Sequence, residues 1–230
     1  MNEGINKLND ILEKDGKITQ LYYAIYNGGR KINSQQFIDL YEQNRNLFEE
    51  RDFESTTAVY GLAFRIIAEY AVALKDNGND LKAIPYFNKA IKLLEYYHLT
   101  DLNKQTSELY HGDYYRLLKW TRGLAYYKLG KYKLAYQDFK GLALHFPKNG
   151  TYQIWLLNSQ VKEWRKWELF FLCLTGFTGG MIYALHSHNV FWFRSDIFVF
   201  IIALTAVILI GIWKDGINKR LKKFYKEIKK

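Results

Sequence analysis

Two uncharged stretches near the end of the chain, Leu169–Leu185 and Ile197–Trp213, constrain its fold more than anything else in it. They read LFFLCLTGFTGGMIYAL and IFVFIIALTAVILIGIW, 17 residues each. As helices each spans about 25 Å at ~1.5 Å per residue, the short end of what crosses a bilayer. Together they predict a two-helix transmembrane hairpin over residues 167–213. Trp164, Trp167, Tyr183, Trp192 and Trp213 fall near the expected interfaces, where amphipathic rings are favoured. Lys162, Arg165 and Lys166 precede the first stretch, and Lys214, Lys219, Arg220, Lys222 and Lys223 follow the second. The connector His186–Asp196 has only Arg194 as a firm cation. The positive-inside rule then places both termini in the cytoplasm. The expectation is an integral membrane protein of a plasma or inner membrane. Gly176 and Gly180 form a GxxxG, a spacing that lets helix backbones approach closely. They would pack within the hairpin or along the seam of a homo-oligomer.

Two prolines in 230 residues, with no clear alternation of apolar and polar residues, predict helices throughout. The single cysteine, Cys173, lies in the first apolar stretch, so neither an intrachain disulfide nor a paired-cysteine metal site is possible. The start, MNEGINKLNDIL, lacks the basic opening and apolar run of a signal peptide. The net charge is +10, and residues 214–230 supply +6 of it through eight Lys or Arg against two acids. The excess therefore belongs to the tail, and nucleic acid is not an expected partner. Ile217, Leu221, Phe224 and Ile228 share one helical face of that tail, opposite lysines. Such a basic amphipathic helix suits anionic lipid head groups.

The chain divides into an N-terminal helical arm (1–34), a helical solenoid (35–166), the hairpin (167–213) and the basic tail (214–230). In the arm, one helix is expected over Glu3–Lys14 and another over Thr19–Tyr26, stopped by Asn27-Gly28-Gly29. Ser34 is expected to cap a helix carrying Phe37, Leu40, Tyr41, Asn44 and Phe48. Further helices are expected over Glu54–Lys75, Leu81–Tyr97 with Pro85 near its start, and one ending at Leu129. A fifth covers Lys133–His145, and a sixth begins at Thr151. Helices of this length joined by short turns describe stacked antiparallel pairs, an all-α solenoid.

Within it, residues 116–149 resemble a tetratricopeptide repeat, a 34-residue helix–turn–helix unit. Gly123 is the small residue of the first helix, followed by Ala125, Tyr126 and Tyr127. Gly130 and Tyr132 make the turn, Ala135 and Phe139 mark the second helix, and Pro147 ends the unit. Lys119 and Arg122 depart from the family's apolar preference, and Leu142 replaces its usual alanine. Gly78, Asp80, Ala83, Phe87 and Ala90 repeat the spacing of Gly130, Tyr132, Ala135, Phe139 and Leu142, with Ala71 as the small residue upstream. The resemblance implies a concave groove lined by first helices that binds a peptide or helix. Leu117, Trp120, Leu124, Tyr127 and Lys128 would face it, with Trp120 and Tyr127 as anchors. Leu124 and Trp120 stand where some relatives clamp a terminal carboxylate, so an apolar occupant is implied. The alternative is that the chain's own N-terminal arm fills the groove.

No phosphate loop, nucleophile elbow, zinc-helix motif or acid–base pair of carboxylates stands out, so no enzyme and no cofactor is expected. His186 and His188 lack acidic or cysteine neighbours and read as loop residues rather than metal ligands. The expected function is a membrane-anchored adaptor that recruits a protein partner to the cytoplasmic face. The alternative is a membrane effector whose hairpin oligomerises and perturbs the bilayer.

Overall fold

The structure is a computed structural model. It describes residues 2–26, 33–49, 59–100 and 106–187, and helical positions within 201–222. The described residues are helical and contain no strand. The chain forms two compact units, residues 1–131 and 132–230.

The first unit opens with α1 (Asn2–Tyr26), which runs unbroken through Gly16 where two helices were expected. Then come α2 (Ser34–Gln43) and the single turn α3 (Asn46–Glu49). The cap of α2 is Asn33, not Ser34. Its Oδ1 accepts from the Gln36 backbone at 2.9 Å, and the Gln36 side chain accepts from the Asn33 backbone at 3.2 Å. This reciprocal box satisfies two donors that the first turn leaves open. Asn44 breaks the expected single helix by turning its amide back onto the Leu40 carbonyl at 2.9 Å.

The centre of the unit is α4 (Tyr60–Asp76), which packs against α1, α2, α7 (Asp113–Lys128) and α5 (Asp80–Thr100). Ala63, Ile66, Ile67, Tyr70, Ala71 and Leu74 of α4 are buried and share one face of it. Between α5 and α7 lies the short α6 (Thr106–Leu109). Pro85 sits inside α5 and lines an open surface, where the lost backbone bond is borne.

In the second unit α8 (Tyr132–His145) pairs with the long α9 (Gly150–Ser187). Asn149 caps α9 by accepting from the Thr151 backbone at 3.1 Å. Ala135, Phe139, Leu142 and Ala143 are buried, as are Ile154 and Leu157, and the Phe139 and Trp155 rings meet at 5.8 Å.

The two copies of the repeat spacing have the same local geometry. Gly78 and Gly130 take φ of 79° and 71°. At the first, Gly78 N donates to Lys75 and Asn79 N to Leu74. At the second, Gly130 N donates to Tyr127 and Lys131 N to Tyr126. Each helix thus ends in the same glycine-dependent stop, and the next begins two residues later. Ala83, Phe87 and Ala90 after the first turn, and Ala135, Phe139 and Leu142 after the second, are all 0% exposed. Ala71 and Gly123, each seven residues before its turn glycine, are buried. Pro147 is exposed after α8.

The integral-membrane expectation is corrected. Among the described residues no helix is long and apolar enough to cross a membrane. Leu169–Leu185 is the C-terminal part of α9, which earlier carries Lys162, Glu163, Arg165, Lys166 and Glu168. Its uncharged run starts directly after these charges and is at the short end of what a ~30 Å hydrocarbon core requires. Thr175, Gly176, Thr178, Gly179 and Gly180 lower its mean hydropathy further. A Cβ on Gly176 or Gly180 would meet no described atom within 4 Å. Of the Ile197–Trp213 span, residues 201 and 204–212 are described, as helical positions, and most of the 214–230 tail lies outside the described residues. The membrane hairpin, its sidedness and the bilayer effector that depends on it are set aside.

Alanine at Gly78 or Gly130 puts a Cβ into left-handed backbone, which costs ~1–2 kcal/mol. Urea unfolding should give a comparable loss at each. Gly61→Ala, in open space on a helix, should instead gain ~0.5–1 kcal/mol.

Candidate functional site

A cavity of about 440 Å³ opens where α2, α4 and α7 converge, within the first unit. Its apolar lining is Phe37, Val72, Ala73, Tyr114 and Leu117, and its polar lining is Ser34, Glu69, Asp76 and Asp113. The three carboxylates come from three places. Glu69 and Asp76 lie two turns apart on α4, and Asp113 is the first residue of α7. Each has a cation nearby on its own helix. Arg65 meets Glu69 at 3.2 Å, Lys75 meets Asp76 at 3.3 Å and Arg116 meets Asp113 at 2.5 Å. None of these cations lines the cavity.

Beside the cavity, Arg65 ties three helices together. Its guanidinium lies 4.1 Å from the Tyr26 ring centre, 5.7 Å from Tyr22 and 6.0 Å from Tyr114. It also donates to the Tyr22 hydroxyl at 2.9 Å. An aromatic cage around a cation held by a carboxylate is favourable because the rings' negative faces replace part of its hydration. Burial, reinforced by Glu69, pushes the Tyr26 phenol up, and burial does the same to Tyr114. Both phenols stay neutral at physiological pH, so the charge of the cavity comes from its carboxylates. Ile18, Leu21 and Ile25 are buried on the same side of α1, so the N-terminal arm covers part of the surface beside α4.

Of the residues expected to face a groove, the structure brings Leu117 to the cavity, 45% exposed. Trp120, Leu124 and Tyr127 are half-buried further along α7 and do not line it. Lys128 has a different role. Its ammonium meets buried Asp80 of α5 at 2.8 Å, closing the end of α7 onto the start of α5. Gly123, Tyr126, Ala135 and Phe139 are buried as packing residues, and Gly130 makes the turn. Lys119 and Arg122 are explained by α5. Lys119 faces Glu95 at 3.7 Å, and Arg122 donates to Asn88 at 2.7 Å.

The residues missed were those of α4. A signal was present, since the turn glycines are 52 positions apart, 78 and 130. That offset carries Leu124 onto Val72, Lys128 onto Asp76 and Leu117 onto Arg65. Moving the expected face from one first helix to the other finds Val72 and Asp76 on the cavity wall and Arg65 beside it. Phe37 and Ser34 had no such signal, because α2 belongs to neither copy.

A second cluster lies on α2, α3 and α5. Tyr41 stacks on Tyr70 at 3.8 Å and on Phe48 at 4.9 Å, with Tyr86 edge-on to both tyrosines. Glu42 accepts from Tyr70 and, at 2.6 Å, from Lys82. Glu49 accepts from Tyr86 at 2.6 Å and pairs with Arg45 at 2.6 Å. Bonds from Lys82 and Tyr70 hold Glu42 below the usual carboxylate range. At Glu49, burial raises the value, but the bonds from Arg45 and Tyr86 outweigh it. Burial and Glu49 push the Tyr86 phenol up to about 12. A cavity of about 470 Å³ here includes Arg45, Lys82 and Lys89, but each has a protein acceptor. This cluster joins helices rather than binding anything. Among the described residues no group of three or more His, Cys, Asp or Glu could hold a metal ion.

No family model, no curated protein and no solved structure matches the chain.

Two outcomes follow from these contacts. Removing the cage cation by Arg65→Met should cost ~1–2 kcal/mol and speed hydrogen exchange of residues 17–26 relative to α5. Glu42 and Glu49 have folded values below their ordinary one. Their stabilisation is therefore complete above the ordinary value near 4.5 and is lost as pH falls through the folded values. Glu42→Gln/Glu49→Gln should flatten that acid limb of a thermal-midpoint profile.

Proposed function

We propose that the chain is a helical-repeat adaptor, similar to tetratricopeptide proteins, that recruits a protein partner through the cavity between α2, α4 and α7. The observation that carries this reading is the repeated helix stop. Two first helices, α4 and α7, end in the same glycine stop, and both contribute to the cavity wall. In a tetratricopeptide-like arrangement the first helices line the partner-binding face. Exposed Leu117 with Val72, Ala73 and Phe37 offers an apolar floor for a side chain of a helix or extended peptide. The arm competes for the neighbouring surface, so the open part is restricted to this cavity.

The test is comparative capture with the immobilised full chain, wild type beside Val72→Asp/Leu117→Asp. Val72 is half-buried and Leu117 exposed, so the variant should keep its helical circular dichroism and its thermal midpoint within a few degrees. A partner held by wild type and lost from the folded variant is the expected result. Identical captured sets would remove the cavity from the adaptor reading.

A further inference from the structure

We infer that the α2–α4–α7 cavity seats a lysine or arginine side chain carried on a segment of the partner protein. The inference rests on the adaptor reading above and specifies the chemistry of its occupant. Charge complementarity carries it. Among the described residues Glu69, Asp76 and Asp113 line the cavity, and no Lys, Arg or His does. The sign is opposite to the cationic clamp by which some tetratricopeptide relatives hold a terminal carboxylate. Residues 1–131, the unit that holds the cavity, carry 18 Lys or Arg against 17 Asp or Glu, so the acidic lining is a local feature rather than the field of the chain.

The apolar lining makes the occupant a side chain rather than a small ion. Val72, Leu117 and Tyr114 give walls for the methylene stem of Lys or Arg, whose charged head then reaches the carboxylates. A bare metal ion does not fit, because the three acids do not converge into a ligand set. The acids can also change partners. Asp76 and Asp113 are paired at the surface with Lys75 and Arg116 of their own helices, pairs of the kind that contribute little when solvated. An incoming head group can pair with one of these exposed carboxylates while its methylene stem covers the apolar lining, a gain the neighbouring cations do not make because none of them lines the cavity.

The experiment uses the purified full chain and four fluorescent probes. Three are a short amphipathic peptide of leucine and lysine and its leucine–glutamine and leucine–glutamate counterparts. The fourth is a synthetic peptide of residues 214–230, the basic tail of the chain itself. Anisotropy titration should give binding of the lysine peptide, about tenfold or more tighter than its glutamine counterpart, and none of the glutamate one. Affinity should fall as salt rises from about 50 to about 500 mM. Glu69→Gln/Asp76→Asn/Asp113→Asn should weaken the lysine peptide about tenfold. Glu69 also holds Arg65, so the double variant Asp76→Asn/Asp113→Asn serves where the triple one unfolds, with a smaller loss in the same direction.

Equal affinity for the lysine and glutamine peptides, still sensitive to Val72→Asp/Leu117→Asp, would overturn the cationic seat and leave the adaptor reading standing. Unchanged lysine-peptide binding in the folded acid-removal variants would do the same. Binding of the 214–230 peptide alone would make the occupant a second copy of this chain and overturn the partner. Failure of all four peptides to bind would overturn both readings.

Discussion

The first unit depends on α4, which is buried along a broad face and packs against four other helices. A helix in that position must be apolar along the whole of that face, and charge is left to the strip outside it. It must also be narrow where neighbours press closest. Ala63, Ala68, Ala71 and Ala73 meet the second need, and Ile66, Ile67, Tyr70 and Leu74 fill the space between. The polar groups that α4 does carry are directed to its margins, where they hold other helices. Arg65 binds the tyrosines of α1 and reaches toward Tyr114 of α7, and Tyr70 donates to Glu42 of α2. The candidate site is a consequence of this arrangement. The cavity forms at the C-terminal end of α4, where α2 and α7 both lean on it without meeting closely enough to fill the corner.

Aromatic rings do much of the joining. The Tyr41–Tyr70 stack, extended by Phe48 and Tyr86, crosses from α2 through α4 to α5. Such pairs add roughly 0.5–1.5 kcal/mol each beyond area burial. The hydroxyls of Tyr70 and Tyr86 end on Glu42 and Glu49, which are in turn held by Lys82 and Arg45. The abundance of tyrosine over phenylalanine, 19 to 15, has a structural use here. A phenol can be buried by its ring and still satisfy an acid at the rim. The same design recurs on α7, where Tyr115 donates to Glu95 at 2.6 Å.

The legible parts of the sequence were those governed by local rules. The turn glycines, the small residues Ala71 and Gly123, and the buried triplets after each turn could all be read from spacing, because helix-end chemistry and helix–helix approach depend on residues near in sequence. The α2 cap was misplaced by one residue. Asn and Ser both cap well, and only the glutamine three positions after Asn33 decides between them. The gap expected between two helices in the arm contains Gly16, and the helix runs through it. The membrane reading of Leu169–Leu185 rested on a stretch at the short end of what a bilayer demands, diluted by glycine and threonine. The resemblance placed Lys128 on the groove, whereas its partner, Asp80, is set by how α7 packs on α5.

The site was half legible for the same reason. One wall, Leu117, came from the face of a single helix. The other wall, and most of the charge of the cavity, needed a second helix. Reading only α7, the groove is apolar with a lysine at its rim. With α4 added, Asp76 and Glu69 replace that lysine, and the sign of the surface reverses. The charge at the last turn of α4 and α7 therefore depends on the copy. Position 128 is a cation in one copy, and position 76, its counterpart, is an anion in the other. The two copies of the spacing keep small and aromatic packing residues, Ala71 and Gly123, Ala83 and Ala135, Phe87 and Phe139, and differ in that charge.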